Sequence, residues 1–326
     1  MPAPSAPATF QRPDLGQSYE EFNLMAAAMG FVGLRAMPLT RVQLQTASFS
    51  VIPLEQLLND ARDLSRAPGG AYARQEWAFE QDNYACQEIG AEEVLDDRER
   101  KIYGYTGIRF DQISSDRAVS ALMRDIESRV SNVLQDSTTY AAQTTNVGTE
   151  WNTHATATPR SDVLLARERF RLRVGFYPNT LVMSSKVHQD IIQCAEITDL
   201  IKFGGLRDDT NKVMDPVQVD ESLLQRIFQM PKVCIAGGGT VLNSADAGLA
   251  ASLADMWDDE FVTLCYSAQT DDLRETGVGR VFTFEDMVVE QYRDESRRSD
   301  ILRARRDADV KVIHGELIEI LANITT

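Results

Sequence analysis

The chain has three histidines, His154, His188 and His314, and these bound the acid–base and metal chemistry that imidazoles could supply. They stand far apart in sequence and match neither H-x3–5-H nor HExxH, the spacings that put two imidazoles on one zinc ion. Ser185 and His188 lie one helical turn apart, close enough for a nucleophile and its base. A nucleophilic serine needs a strained elbow and a base oriented by a third group, however, and no G-x-S-x-G surrounds either serine here. Ser184 or Ser185 instead suits a helix N-cap, without a full capping box because Val187 and His188 occupy the third positions. Gly237-Gly238-Gly239-Thr240 follows the strand-like "VCIA", but it lacks the lysine of a phosphate loop and the third spaced glycine of a dinucleotide fold. The acidic pairs Glu92/Glu93, Asp96/Asp97, Asp208/Asp209, Asp258/Asp259 and Asp271/Asp272 could attract cations, yet none has calcium-loop spacing. Cys86, Cys194, Cys234 and Cys265 are scattered, with no CxxC pair, and read as reduced buried thiols. No catalytic, cofactor-binding or metal-binding residue is therefore assigned, and the chain is read as no enzyme with no cofactor.

Composition narrows the remaining classes. The 326 residues can bury a large core, and 43% hydrophobic with 25% charged residues is ordinary for a globular protein. A formal charge of −16 argues against a broad basic surface that grips nucleic acid. No apolar run reaches bilayer length and the N-terminus lacks a signal pattern, so no membrane partner is expected. Pro2, Pro4, Pro7 and Pro13 make the start an extended arm.

Alternation at Val42/Leu44 and Phe49/Val51 predicts a strand over 41–52, and Trp77/Phe79 and Tyr84/Cys86 predict the strand that returns. Between them, "LEQLLNDARDLSR" is polar and partly helical, and Pro68-Gly69-Gly70 marks a turn. The result is a two-armed excursion with its tip near Pro68 to Tyr72, too thin to be stable unless it lies on something. A long helix is expected over 114–134, capped by Ser114 or Ser115 and buried along Val119, Leu122, Met123, Ile126, Val130, Val133 and Leu134. A second helix is expected from about Ser161. A strand and a helix carrying Val187, Ile191, Ile192 and Ala195 follow from "YPNTLVMSSKVHQDI", 177–191. Short strands and turns are expected from 211 to 290. The last stretch is expected as two strands around Asp307 to Asp309, with Arg303, Arg305 and Arg306 facing out.

Several motifs, taken in order, resemble the major capsid proteins of tailed bacteriophages with the Hong Kong 97-type fold. They are "SRAPGGAYAR" and "LDDRER" upstream, "DIESRVSNVL" at 125–134, "WNTHATATPRSDVLLARERF" at 151–170, "PNTLVMSSKVHQDIIQCAEITDLIKF" at 178–203, and "VFTF" with "QYRDESRRSDILRARRDADVKVI" near the C-terminus. Together they cover roughly residues 45 to 326. The resemblance implies an α+β chain with an N-terminal arm at 1–47 and an extended β-hairpin loop at 48–108. A peripheral domain with a long spine helix would take 109–175 and 285–326, and an axial domain 176–284.

It further implies a structural shell protein that forms hexamers and pentamers of an icosahedral head around double-stranded DNA, without sequence-specific binding. Arg66, Pro68, Gly69, Gly70, Tyr72 and Arg74 at the loop tip would touch neighbouring subunits. A portal, a separate scaffolding protein and a cement protein would be partners, with the virion assembled in the bacterial cytoplasm. The short arm implies no N-terminal trimming. Because no lysine stands between Ser48 and Arg100, no covalent Lys–Asn crosslinking is expected. An encapsulin-like nanocompartment or gene-transfer-agent shell is the alternative; a cytosolic α/β enzyme is a distant third.

Overall fold

The structure, a computed structural model, describes residues 10–11, 30–53, 65–66, 68–71, 78–104, 110–204, 221–237, 239–241, 253–273 and 275–325. In chain order the strands are β1 (Phe10–Gln11), β2 (Leu39–Arg41), β3 (Thr46–Val51), β4 (Glu80–Ala85), β5 (Gln87–Asp96), β6 (Thr144–Asn146), β7 (Thr180–Ser184), β8 (Lys232–Ala236), β9 (Gly239–Val241), β10 (Leu253–Asp255), β11 (Val262–Cys265), β12 (Gly279–Thr283), β13 (Val288–Asp294), β14 (Ser299–Val312) and β15 (Ile318–Ala322). The helices are α1 (Gly33–Ala36), α2 (Asp97–Gly104), α3 (Phe110–Leu134), α4 (Pro159–Val174), α5 (Ser185–Gln193), α6 (Ala195–Gly204) and α7 (Glu221–Phe228).

Two sheets organise the chain. The first runs β1-β13-β14-β12-β2, with β5 also paired to β14, antiparallel throughout except for β2 beside β12. The second runs β6-β15-β11-β7-β8. The long helix α3 serves both. Its N-terminal half packs Val119, Leu122 and Met123 against Leu95, Val289, Leu302 and Ala304 of the first sheet. Its C-terminal half packs Ile126, Val130 and Leu134 with Val182, Cys265, Ile318 and Ile320 of the second. On that sheet's other face, α4 to α7 bury Val163, Ile191, Ile197, Leu224 and Phe228 against Leu181, Met183, Val233 and Leu264. This explains why "TLVMS" reads as a continuous apolar run: every residue of β7 is buried, with alternate side chains serving different clusters.

Several expectations need correction. Helix α3 starts at Phe110, with Asp111 in its first turn held by Arg100, so Ser114 and Ser115 are buried core residues rather than caps. The strand expected at 41–52 is two strands, and Leu44 between them is exposed. The stretch from 211 to 290 also contains the helix α7. Helical spacing runs past Cys194, but the backbone there is extended and Ala195 opens a new helix.

The C-terminal stretch is a single fourteen-residue strand through Asp307 to Asp309, followed by β15 in the other sheet. The strand runs on through both aspartates: the Asp309 carboxylate accepts from the Ala85 N–H, while Asp307 is buried and burial pushes its carboxyl up. Its arginines do not simply face out. Arg306 is buried and donates to Thr283 Oγ1, while Arg303 and Arg305 converge on Glu290.

Candidate assembly surface

The excursion is present as a two-stranded antiparallel ribbon, with Thr46 opposite Ala85 and Val51 opposite Glu80. An isolated pair of strands is marginal in water, so its attachment matters. At the base, Tyr84 stacks on the fully buried Phe282 with ring centroids 4.6 Å apart, and Phe49 lies 5.7 Å from the same ring. Burial of these rings fixes which face of the ribbon lies down. Lys311 reaches Asp82 at 2.9 Å, and the Ala85 N–H donates to Asp309. From Gln87 the chain runs directly into β5, which pairs with β14 through ten residues.

The two faces of the ribbon differ in kind. Ala47, Phe49, Val51 and Tyr84 lie on the attached face, and a cleft of about 480 Å3 opens beside it, lined by Phe49, Val51, Leu273, Ile313 and His314. The outer face carries Thr46, Ser48, Ser50, Gln81 and Ala85, all small or uncharged and exposed.

Of the six expected tip residues, Arg66, Pro68, Gly69 and Gly70 are described and exposed, whereas Tyr72 and Arg74 lie outside the described residues. The Arg66 Nε–H donates to the Gly70 carbonyl at 2.6 Å, closing a turn over Pro68-Gly69. Gly69 sits at φ +81 with nothing within 4 Å, a left-handed turn position that glycine adopts without strain. The "LEQLLNDARDLSR" stretch of 54–66 lies outside the described residues apart from Ser65 and Arg66.

The residues with chemical potential are committed elsewhere. Ser184 is the N-cap, its Oγ accepting from the Val187 N–H, and it also donates to Asp259. His154 pairs with Asp190 at 3.2 Å, and burial pushes the His314 imidazole below its ordinary value. The Gly237 N–H, which a phosphate would need, donates to the Gly30 carbonyl at 2.9 Å. Glu92 meets Arg303, Glu93 meets Arg117, and Asp97 takes a bidentate bond from Arg293. Burial pushes the Cys194 and Cys265 thiols up to about 12, leaving neither reactive at neutral pH. Among the described residues, no group of three His, Cys, Asp or Glu side chains could hold a metal ion, and no helix is long and apolar enough to cross a membrane.

Three polar centres escape sequence reasoning. Glu127 is 3% exposed on α3 and accepts from the N–H groups of Val32 and Gly33 and from Trp257 Nε1. Burial pushes its carboxyl up, and these bonds only partly offset that. Its place on the apolar stripe between Met123 and Val130 is the signal that could have exposed it. Arg280 is fully buried, and its guanidinium donates to the carbonyls of Thr270, Asp272 and Glu275, shaping the loop before β12. Burial also pushes Glu290 up, but its bonds to Arg303 and Arg305 outweigh that and hold it below its ordinary value.

No protein-family model matches this sequence, and no curated protein matches it. Solved structures do. A phage-related protein from Bordetella bronchiseptica matches over 97% of this chain and 98% of its own, with a TM-score of 0.69 at 16% identity. The putative capsid protein of an Escherichia coli CFT073 prophage matches over 98% and 100%, with a TM-score of 0.55 at 10% identity. A virus-like particle protein from Pyrococcus furiosus matches over 94% and 98%, with a TM-score of 0.52 at 14% identity. The chain therefore has the α+β fold of tailed-phage major capsid proteins, the Hong Kong 97-type architecture that its motifs resemble.

Proposed function

We propose that the chain is a structural shell protein whose copies form the hexamers and pentamers of an icosahedral phage head around double-stranded DNA. The observation that carries this reading is the end-to-end match to phage capsid structures, joined to a ribbon whose outer face carries small or uncharged residues. A fold match alone does not carry function, but a thin ribbon of two strands seated on Phe282 suits a chain that is completed by its neighbours. Residues 109–175 and 285–326 supply the peripheral unit and 176–284 the axial unit, tied together where β15 pairs with β11 and β14 with β12. The turn at Arg66, Pro68, Gly69 and Gly70, with Tyr72 and Arg74, rests on the adjacent subunit. Portal, separate scaffolding and cement proteins are the further partners, and assembly takes place in the bacterial cytoplasm. The negative charge keeps packaged DNA from adhering to the wall.

A non-infectious compartment built on the same fold is the second reading, favoured by the likeness to the Pyrococcus furiosus particle protein. Electron microscopy of the purified protein tests the shell itself: closed shells or hexameric rings are expected, and a stable monomer at high concentration overturns it. Copurifying DNA of head length, against a protein cargo, separates the two readings.

A further inference from the structure

On one face of the first sheet, acids outnumber bases. Arg303, Arg305 and Asp307 alternate along β14 and so share that face. Register places Glu92 of β5 opposite Arg303 and Glu88 opposite Asp307. Glu290 of β13 accepts from both Arg303 and Arg305, and Glu285 accepts from Arg305. Five carboxylates thus share two guanidiniums.

The shortfall falls on Asp307 and Glu88. Glu285 and Glu290 hold the Arg305 guanidinium, which approaches Glu88 only to 3.9 Å. Asp307 is 7% exposed, and among the described residues its Oδ1 has no hydrogen-bond partner. Like charges directly opposite on neighbouring strands repel, and a buried oxygen without a donor is costly. Burial, then Glu88 and Glu285, push the Asp307 carboxyl up, and Arg305 only partly offsets them. The Glu88 side chain is 60% exposed, so the pair opens to solvent at one end.

We propose that Asp307 and Glu88 form a binding site for a small aliphatic diamine, one primary ammonium bridging the two carboxylates. An ammonium brings three N–H donors on a single charge and demands no coordination shell. A metal ion fits less well, because among the described residues no group of three His, Cys, Asp or Glu side chains could hold one. More than one negative charge is left uncancelled on this face, which favours a free dication over a single lysine side chain. The site needs only the pairing of β5 with β14 and is independent of the shell reading.

Calorimetric titration of the full-length protein with 1,4-diaminobutane, at constant ionic strength, tests this. Wild type is expected to take one molecule per chain. Glu88→Gln and Asp307→Asn are each expected to weaken binding about tenfold or more. Should the buried substitution disturb the fold, Glu88→Gln at the surface still decides. Glu295→Gln removes the same charge from a side chain 83% exposed and leaves binding unchanged. The fully N-methylated diamine keeps both charges but has no N–H donor, and it is expected to bind about tenfold more weakly. No binding to wild type, equal weakening by Glu88→Gln and Glu295→Gln, or equal binding of the methylated diamine overturns the proposal.

Discussion

Glu127 shows how much one side chain can organise. It joins α3, the segment before α1 and the loop at Trp257 through a buried carboxylate that faces N–H groups rather than a cation. Glu127→Ala strands those donors and is expected to cost about 3 kcal/mol in a denaturant titration. The pH dependence has a definite sign. The folded-state carboxyl lies above the ordinary 4.5, so the folded state holds its proton over a window where the unfolded chain has lost it. Wild type therefore gains stability relative to Glu127→Gln as pH falls from neutral through that raised value to about 4.5, measured by unfolding at several pH values. Glu290 behaves oppositely: Glu290→Gln costs about 2 kcal/mol at neutral pH. That cost fades as pH falls from 4.5 through the lowered folded value. Glu127 was hard to see in sequence because a buried charge is identified by its partners, and those lie 94 to 130 residues away. Ser184 was legible because a cap and its donor are three residues apart.

At the scale of elements, the ribbon depends on one ring. Phe282→Ala removes the surface on which Tyr84 and Phe49 stack and is expected to cost about 3–4 kcal/mol. Hydrogen exchange should quicken in 46–51 and 80–85 before it does in β7 or β11; uniform quickening would contradict this attachment. Local pattern made α3, β7 and the ribbon readable, since each has a one-sided or nearly continuous apolar run, whereas α4 leaves Leu165 and Leu172 exposed. Boundaries failed where tertiary partners decide them. Arg100 holds the start of α3 four residues before its serines, and donors from β4 keep Asp309 inside a straight strand. The helix α7 carries its own one-sided stripe of Leu223, Leu224, Ile227 and Phe228 but spans only eight residues, short enough to be passed over among strands and turns.

At the scale of the whole molecule, the fold was legible from the order of weak motifs. The allocation of strands between the two sheets was not, because β6 and β15 join β11 and β7 through pairings between distant parts of the chain. Assembled shells boiled in denaturant should run at 36.4 kDa with no ladder of multimers, since no lysine lies between 48 and 100 to form a crosslink there; a ladder would refute this. The ten-residue weld of β5 to β14 has a mechanical consequence. Chain leaves the ribbon at Ala85 and is already sheet at Gln87, so no slack loop lies between them. A load on the ribbon would pass through Cys86 into β5 and be shared over the ten residues paired with β14. In an assembly the ribbon would therefore act as a stiff arm of the sheet rather than a tether.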